Sequence, residues 1–374
     1  MVSLARKNLL HDRLRFVITI SGVAFAVTLV LVQVGLFMGL LDKATTTIEH
    51  ASADIWVTSH ETPNVDFAHN FPETTALRVR SVPGVARADN LILQFMNIQL
   101  PTGAEEGCLV YALADFGAWN LPWDVNEGDV RDLKRGRFML MDRSAERRFG
   151  PFQVGDYREI LGRRFKIIGT TSDAQSFTTA PVIFMDFKNA QEQLQTLQGK
   201  TQYVLVKLEP GADRDAVVAE IRRRLPYNDV HTKAEWAARS RAYWIVSTGL
   251  GMNMGITVFL GVLVGIVVVA QTLYTSAVEH VKEFGTVKAI GGSNWDIYRI
   301  LGEQALIAAN VGFVLGSAIS YAISPLMEKL HLNVLVTVPF AAAVFVGTLI
   351  MCLGAAMLSF RRVASIDPAL VFRT

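Results

Sequence analysis

Long apolar runs alternate with polar stretches along the chain, on a scale larger than single helices of a soluble core. Phe16–Leu41 carries no charged side chain over about 26 residues, enough to cross a bilayer with some tilt. Trp244–Ala277 is a second charge-free run, Leu301–Met327 a third interrupted only by Glu303, and Leu330–Phe360 a fourth with Pro339 near its outer end. Four spanning helices are therefore predicted, at 16–41, 244–277, 301–327 and 339–360, with a short outer loop at 328–338. A cleaved signal peptide has an apolar core of roughly 7–15 residues and a small-residue cleavage site right after it. Ala51-Ser52-Ala53 lies past Asp42, Lys43 and Glu49, so the first run reads as an uncleaved anchor.

Between the first two runs, residues 42–243 form an aqueous region of about 200 residues, the size of one or two compact domains. Asn90–Leu100, Gly107–Leu113, Phe165–Ile168, Pro181–Met185 and Tyr203–Leu208 are alternating or β-rich runs. Arg158–Leu161 and Phe165–Ile168 read as a hairpin around Gly162-Arg163-Arg164. Asp213 is placed to cap a helix with Val217, Val218, Ile221 and Leu225 on one face. With Asn228–His231 after it, this stretch reads as a β-α-β piece. The expected fold is an α-helical membrane protein with four transmembrane helices and a mixed α+β extracytoplasmic domain inserted between helices 1 and 2.

Composition agrees: 51% of residues are hydrophobic and only 19% charged, with a mean hydropathy of +0.31, as for a membrane protein with a substantial aqueous part. A net charge of +2 gives no reason to expect nucleic-acid binding. Cys108 lies in the aqueous region and Cys352 in an apolar run, so no disulfide framework is expected. Four spans put both termini on one side. That side carries Arg6, Lys7, Arg13 and Arg15 of the basic lead (1–15), Lys282, Lys288 and Arg299, and Arg361, Arg362 and Arg373 of the tail (361–374). Lys43, Lys233, Arg239, Arg241 and Lys329 lie near span ends on the other side. The excess of basic residues assigns the termini to the cytoplasm and the large domain to the outside.

The polar connection 278–300, with the sequence EHVKEFGTVKAIGGSNWDIYRI from Glu279 onward, must face water or protein, because charge at the bilayer centre is costly. A helical stretch around Glu279–Ile290 stops at Gly291-Gly292, residues that tolerate a left-handed C-cap. Ser293 with Asp296 three positions on is a capping arrangement for a second helix running through Trp295, Tyr298 and Leu301 into the third span. The spacing predicts a stiff elbow; an ordinary connecting loop is the alternative. Inside the spans, the polar residues are Gln33, Asn253, Gln271 and Asn310, with Glu303 near an end. Ion-coupled carriers usually need central carboxylates or histidines, whereas interhelical hydrogen bonding suffices for these amides. Small-xxx-small pairs occur at Gly35/Gly39, Gly251/Gly255, Gly261/Gly265 and Gly312/Gly316. The two successive pairs on the second span, Gly251, Gly255, Gly261 and Gly265, are the candidate dimer contact; packing within one protomer is the alternative.

The aqueous region holds His50, His60, His69, Asp54, Glu61 and Asp66 near its start. They lack metal-ligand spacing, and the histidines read as solvated. No catalytic or cofactor signature is present. The P-loop pattern G-x-x-x-x-G-K-[ST] is missing, so ATP and Mg would be bound by another polypeptide.

The order of motifs resembles the FtsX-like/MacB-type permeases of ABC systems, and within them the DevC-like exporters. LARKNLLHDRLRFVITISGVAFAV is similar to the family's entry into its first span. SVPGVARAD, VNEGDVRDLKRGRF and FGPFQVGDYREILGRRFKIIGT resemble segments of its outer domain. KEFGTVKAIGGSNWDIYRILGEQALIAANVGFVLG resembles its most diagnostic stretch, and RRVASIDPALVFR its ending. Gly292-Ser293-Asn294 departs from the small residue followed by basic ones in many relatives. The resemblance implies that Glu279, Lys282, Glu283, Phe284, Lys288, Ala289 and Gly291 lie at or near the contact with a separate ABC ATPase subunit. It further implies a permease homodimer in a bacterial inner membrane, surrounded by membrane lipid, whose outer domain moves with the nucleotide cycle. A periplasmic adaptor and an outer-membrane channel are implied as further partners. Two functional readings follow: extrusion of an amphiphilic substrate by mechanotransmission, and signalling that controls a cell-wall hydrolase without transport. A membrane enzyme is a third, without a catalytic constellation to support it.

Overall fold

The computed structural model describes residues 13–172, 174, 176–177, 180–280, 283, 286, 293–329 and 332–363. The chain divides into two compact units, one of residues 1–40 with 250–374 and one of residues 41–249.

Among the described residues four helices are long and apolar enough to cross a membrane, Arg13–Lys43, Leu250–Glu279, Asn294–Lys329 and Val338–Val363, and they make up the first unit. They share one cluster: Val23, Val27 and Leu31 from the first span, Val269 and Leu273 from the second, Ala305 and Ala309 from the third, and Met351, Cys352, Ala355 and Ala356 from the fourth. The small alanines follow from the solvent. Lipid tails offer no hydrophobic drive between helices, so close backbone approach and dispersion must hold them. The first span is the best covered, with 39% of its most apolar window buried against 22% in the second. It meets the third span at Gly316, where a Cβ would lie 2.8 Å from Val27 Cβ, and Thr28 Oγ1 donates to the Gly316 carbonyl at 3.0 Å. Ser359 Oγ likewise donates to the Ala270 carbonyl at 2.8 Å, joining the fourth span to the second.

Two expectations about polar and small residues change here. Asn310 does not bridge helices: its Nδ2 donates to the Leu306 carbonyl at 2.7 Å, one turn back in its own helix. Of the amides, Gln33 does cross, donating through Nε2 to Met254 Sδ at 3.1 Å. Gly35 and Gly39 do not seat a second helix. They face the irregular segment 332–337, whose Leu335 N donates to the Gly35 carbonyl at 2.9 Å, while a Cβ on Gly39 would collide with the Asn333 carbonyl. Non-helical backbone beside a span needs such partners for its amides.

The second unit is built on a ten-stranded sheet. Its strands are β1 (Ile55–Ser59), β2 (Val85–Gln99), β3 (Glu105–Leu113), β4 (Val125–Glu127), β5 (Phe138–Asp142), β6 (Tyr157–Ile160), β7 (Arg163–Thr171), β8 (Val182–Asp186), β9 (Tyr203–Leu208) and β10 (Asn228–Thr232). The spatial order is β10-β1-β9-β2-β3-β8-β5-β7-β4, with β6 pairing β2 and β7. The β-α-β piece is β9, helix α1 (Arg214–Arg224) and β10, with β1 antiparallel between its two strands. Asp213 caps α1 by accepting from Asp215 N and Ala216 N, and Val217, Val218, Ile221 and Leu225 are buried. The hairpin of β6 and β7 turns over two residues, Leu161 and Gly162, both at positive φ. Arg163 and Arg164, expected in the turn, are in the strand opposite Ile160 and Glu159. A two-residue turn of this hand matches strand twist.

The central strands are covered on both faces. In β3, Leu109, Tyr111 and Leu113 enter one core while Cys108, Val110 and Ala112 enter another. In β8, Val182 and Phe184 face the first of these and Ile183 and Met185 the second. Double coverage explains why these strands read as unbroken apolar runs rather than alternating ones.

The second span starts later than the sequence predicts. Tyr243–Ser247 is a single π-helical turn, Gly249 takes φ +72°, and the long helix begins at Leu250. Trp244 is buried within the aqueous unit, its ring stacked on Phe177 with centroids 3.7 Å apart. An apolar run cannot tell a membrane segment from an aromatic packed in a soluble core, so the boundary was invisible to hydropathy.

Candidate coupling site

Where the second span ends and the third begins, the expected capping arrangement is present. Asp296 Oδ2 accepts from both Ser293 N and Ser293 Oγ, each at 2.8 Å, and Asp296 N approaches Ser293 Oγ at 3.4 Å. These contacts satisfy donors that the first helical turn leaves without partners. From Asn294 the helix runs without a break to Lys329 over 36 residues, with Pro325 inside it. The polar start and the membrane-spanning part are thus one rod. Ala277 near the end of the second span packs against Ile297 and Leu301 of the third, with Tyr274 and Ile300 at the edge. Ile297 and Leu301 are one turn apart and share a helix face, so this small apolar clamp fixes the start of the rod to the end of the preceding span.

Charge fixes the same end a second time. Arg15 Nη1 and Nη2 each donate to the Glu279 carboxylate, forming a bidentate pair between the start of the first span and the end of the second. Such forked pairs carry geometric specificity as well as attraction. Next to it, His280 Nδ1 lies 3.0 Å from Glu283 Oε1. On the outer face of the rod, Trp295 is 69% exposed and stacks on Tyr298 at 5.3 Å, and Arg299 lies 3.6 Å from Glu303.

The residues named from the sequence separate accordingly. Glu279 and Glu283 are exposed at this junction, with Glu279 engaged by Arg15. Lys282, Phe284, Lys288, Ala289 and Gly291 lie outside the described residues. In the sequence Arg15 bears only on topology, and no spacing rule pairs it with a residue 264 positions away. The four glycines of the second span also divide. Gly261 and Gly265 are buried within the chain: a Cβ on Gly261 would lie 2.9 Å from Leu29 Cδ2, and one on Gly265 would lie 3.1 Å from Ala26 Cβ. That is the packing within one protomer. Gly251 is half-buried, whereas Gly255 is exposed and has open space around it. It shares the exposed apolar face of Met252, Ile256 and Phe259.

In the aqueous unit, the segments flanking the spans are tied to each other. Helix α2 (Lys233–Ala242) carries a capping box of Thr232 and Glu235. Its Lys233 Nζ donates to the Glu49 and Ala51 carbonyls at 2.7 and 2.8 Å, and Arg241 donates to Thr45 Oγ1 at 3.0 Å and to Glu49. The backbone that follows the first span is therefore held to the helix that precedes the second. His50, His60 and His69 are exposed. His50 stacks on Trp123 at 4.7 Å, and His60 Nδ1 lies 2.9 Å from Asp229 Oδ1. Among the described residues no group of three or more His, Cys, Asp or Glu side chains is arranged to hold a metal ion. Burial pushes the Cys108 thiol up to about 12, so it is an inert packing residue.

Comparison with known proteins agrees with this architecture. The MacB-like periplasmic core domain matches residues 16–224, and the FtsX-like permease C-terminal region matches residues 255–368. An uncharacterized ABC transporter permease of Mycobacterium bovis is 26% identical over 368 residues, covering 96% of this chain and 95% of the relative. A second such permease, of Mycobacterium tuberculosis, is 26% identical over 378 residues, covering 100% of this chain and 99% of the relative. Among solved structures, the periplasmic region of MacB from Actinobacillus actinomycetemcomitans aligns with a TM-score of 0.41 at 10% identity, over 51% of this chain and 94% of that one.

Proposed function

This chain belongs to the MacB/FtsX-type ABC transporter permeases, and from that premise we propose that it couples ATP hydrolysis on a separate ATPase subunit to movement of its aqueous domain. The ATPase binds ATP and Mg and docks at the elbow, with Glu283 and the exposed Trp295, stacked on Tyr298, on its contact surface. The termini and elbow lie in the cytoplasm of a bacterial cell and the large domain outside its inner membrane. Two permeases work as a pair, and the stroke extrudes an amphiphilic substrate by mechanotransmission, passing it to a periplasmic adaptor and an outer-membrane channel.

The observation that carries this reading is the unbroken helix Asn294–Lys329, capped in the polar connection and clamped by Ala277, Ile297 and Leu301. A capped rigid element whose one end is in water and whose length lies among the spans turns a push at that end into a shift of the bundle. The link between Thr45, Glu49 and Arg241 supports the next step, because it joins the two backbone segments that flank the first and second spans.

The test is affinity purification of the full chain with mass spectrometry of its partners, together with thiol labelling of a Glu283→Cys variant. Recovery of an ABC ATPase and protection of the cysteine from a membrane-impermeant reagent are expected. Labelling from outside intact cells would place the elbow on the wrong side of the membrane and end the proposal. Co-recovery of an adaptor speaks for export, and of a peptidoglycan hydrolase for the signalling reading.

A further inference from the structure

Asp66 is 4% exposed, and among the described residues no donor reaches its Oδ2. It lines a hollow of about 190 Å³ with Phe67, Ala68, His69, Leu93, Gln94, Phe95 and Gln202. We propose that this hollow binds a protonated primary amine, with Asp66 as the counter-ion and Phe67 and Phe95 as its walls.

Of the buried side-chain polar atoms lining the hollow, Asp66 Oδ2 is the one without a partner among the described residues. Gln202 is already used: its Oε1 accepts from Leu93 N at 2.8 Å and its Nε2 donates to Gln94 Oε1 at 2.8 Å. The Tyr203 hydroxyl donates to the Asn64 and Val65 carbonyls at 3.2 and 2.9 Å, and the Tyr111 hydroxyl is taken up with Thr47 Oγ1 at 2.7 Å. Burying a carboxylate without a hydrogen-bonded partner is costly, and desolvation accordingly pushes Asp66 up to about 7. An ammonium group supplies what the protein withholds, a positive charge together with N–H donors.

Shape selects the organic cation over a metal. A hard metal ion needs several oxygen ligands, whereas here Asp66 is the one carboxylate on the wall and the Gln94 and Gln202 amides are engaged with each other. The Phe67 and Phe95 rings lie 6.5 Å apart, tilted by 33°, and ring faces attract an ammonium group held within about 6 Å of a ring centroid. The volume is below the roughly 300 Å³ of the smallest drug-sized pockets, so the site takes a short aminoalkyl group. His69 is the other titratable side chain on its wall. Phe67 also contacts Tyr243 and Trp244, with centroids 6.1 and 6.0 Å away. Occupancy would therefore bear on the aromatic pair just ahead of Gly249. The proposal is independent of the transport reading, since it concerns binding without ATP.

The test uses the full chain in phosphatidylcholine nanodiscs, titrated calorimetrically near pH 7 with butylammonium chloride and, in parallel, with 1-butanol. Saturable binding of butylammonium, none of butanol, and release of protons on binding are expected. The protons come from Asp66, and are counted from the heat in two buffers of different ionisation enthalpy. Asp66→Asn should weaken binding at least tenfold and abolish proton release. Repeating the titration in discs containing phosphatidylethanolamine distinguishes the sources: competition assigns the site to a lipid headgroup, and unchanged affinity to a free amine. Equal affinity for butanol, or undiminished butylammonium binding by Asp66→Asn, would overturn the proposal. The wild-type comparison alone decides if that variant does not fold.

Discussion

Replacing Asp66 by asparagine should make the aqueous unit less sensitive to alkaline pH, and the size of the effect follows from burial. In the folded chain this carboxyl sits at about 7, against 3.8 for an ordinary one. A group whose pKa is raised by folding favours the folded state fully below its unfolded value. That contribution is lost progressively as pH rises toward the folded value. Between pH 5 and pH 8, a carboxyl moved this far removes about 2.5 kcal/mol of stability. Asparagine has nearly the same volume and does not titrate. Any cost of burying its amide is equal at both pH values and cancels in the difference. For a unit of this size each kcal/mol moves the melting temperature by about 2–4 °C. Wild type should therefore lose roughly 5–10 °C more than Asp66→Asn between pH 5 and pH 8, the two being compared in the same buffers. Tryptophan fluorescence of the full chain in detergent reports this, because Trp56, Trp119 and Trp236 are buried in the aqueous unit. Parallel pH profiles for the two proteins would refute the reasoning and would mean that Asp66 finds a donor in solution.

Three further outcomes test the membrane unit. Glu283→Lys reverses an exposed charge at the elbow without touching a span, so co-purified ATPase and its stimulation should both fall severalfold while membrane insertion is unchanged, as read by fractionation and activity assay. Arg15→Glu or Glu279→Arg alone should lower the melting temperature of the detergent-solubilised protein, with the double exchange restoring most of the loss. Gly316→Leu forces a side chain onto Val27 and should abolish the monodisperse peak in size-exclusion chromatography. Gly255→Leu has open space and should leave the fold intact, while weakening the cross-linked dimer if that face joins two permeases.

The spans, their number and the insertion of a large domain between the first two were legible because each depends on local composition: a bilayer demands about 20 apolar residues in a row whatever their neighbours. The capping arrangement of Ser293 and Asp296 was legible for the same reason, since its partners are three positions apart. The hairpin of β6 and β7 was visible too, although its turn proved shorter than the glycine and two arginines implied.

Other features depend on what the chain brings together from far apart, and sequence spacing is silent there. Arg15 and Glu279 meet only because two spans lie side by side. Gly261 and Gly265 look like the exposed Gly255 along the helix, and only the position of Leu29 and Ala26 makes them packing residues. Trp244 reads as the first turn of a membrane helix until Phe177 stacks on it. Asp66 stood in the sequence as one acid among several histidines. Its burial, and the lack of a donor to its Oδ2 among the described residues, arise from strands and loops that converge in the folded unit, where charge and dielectric are decided by tertiary neighbours rather than by adjacent residues.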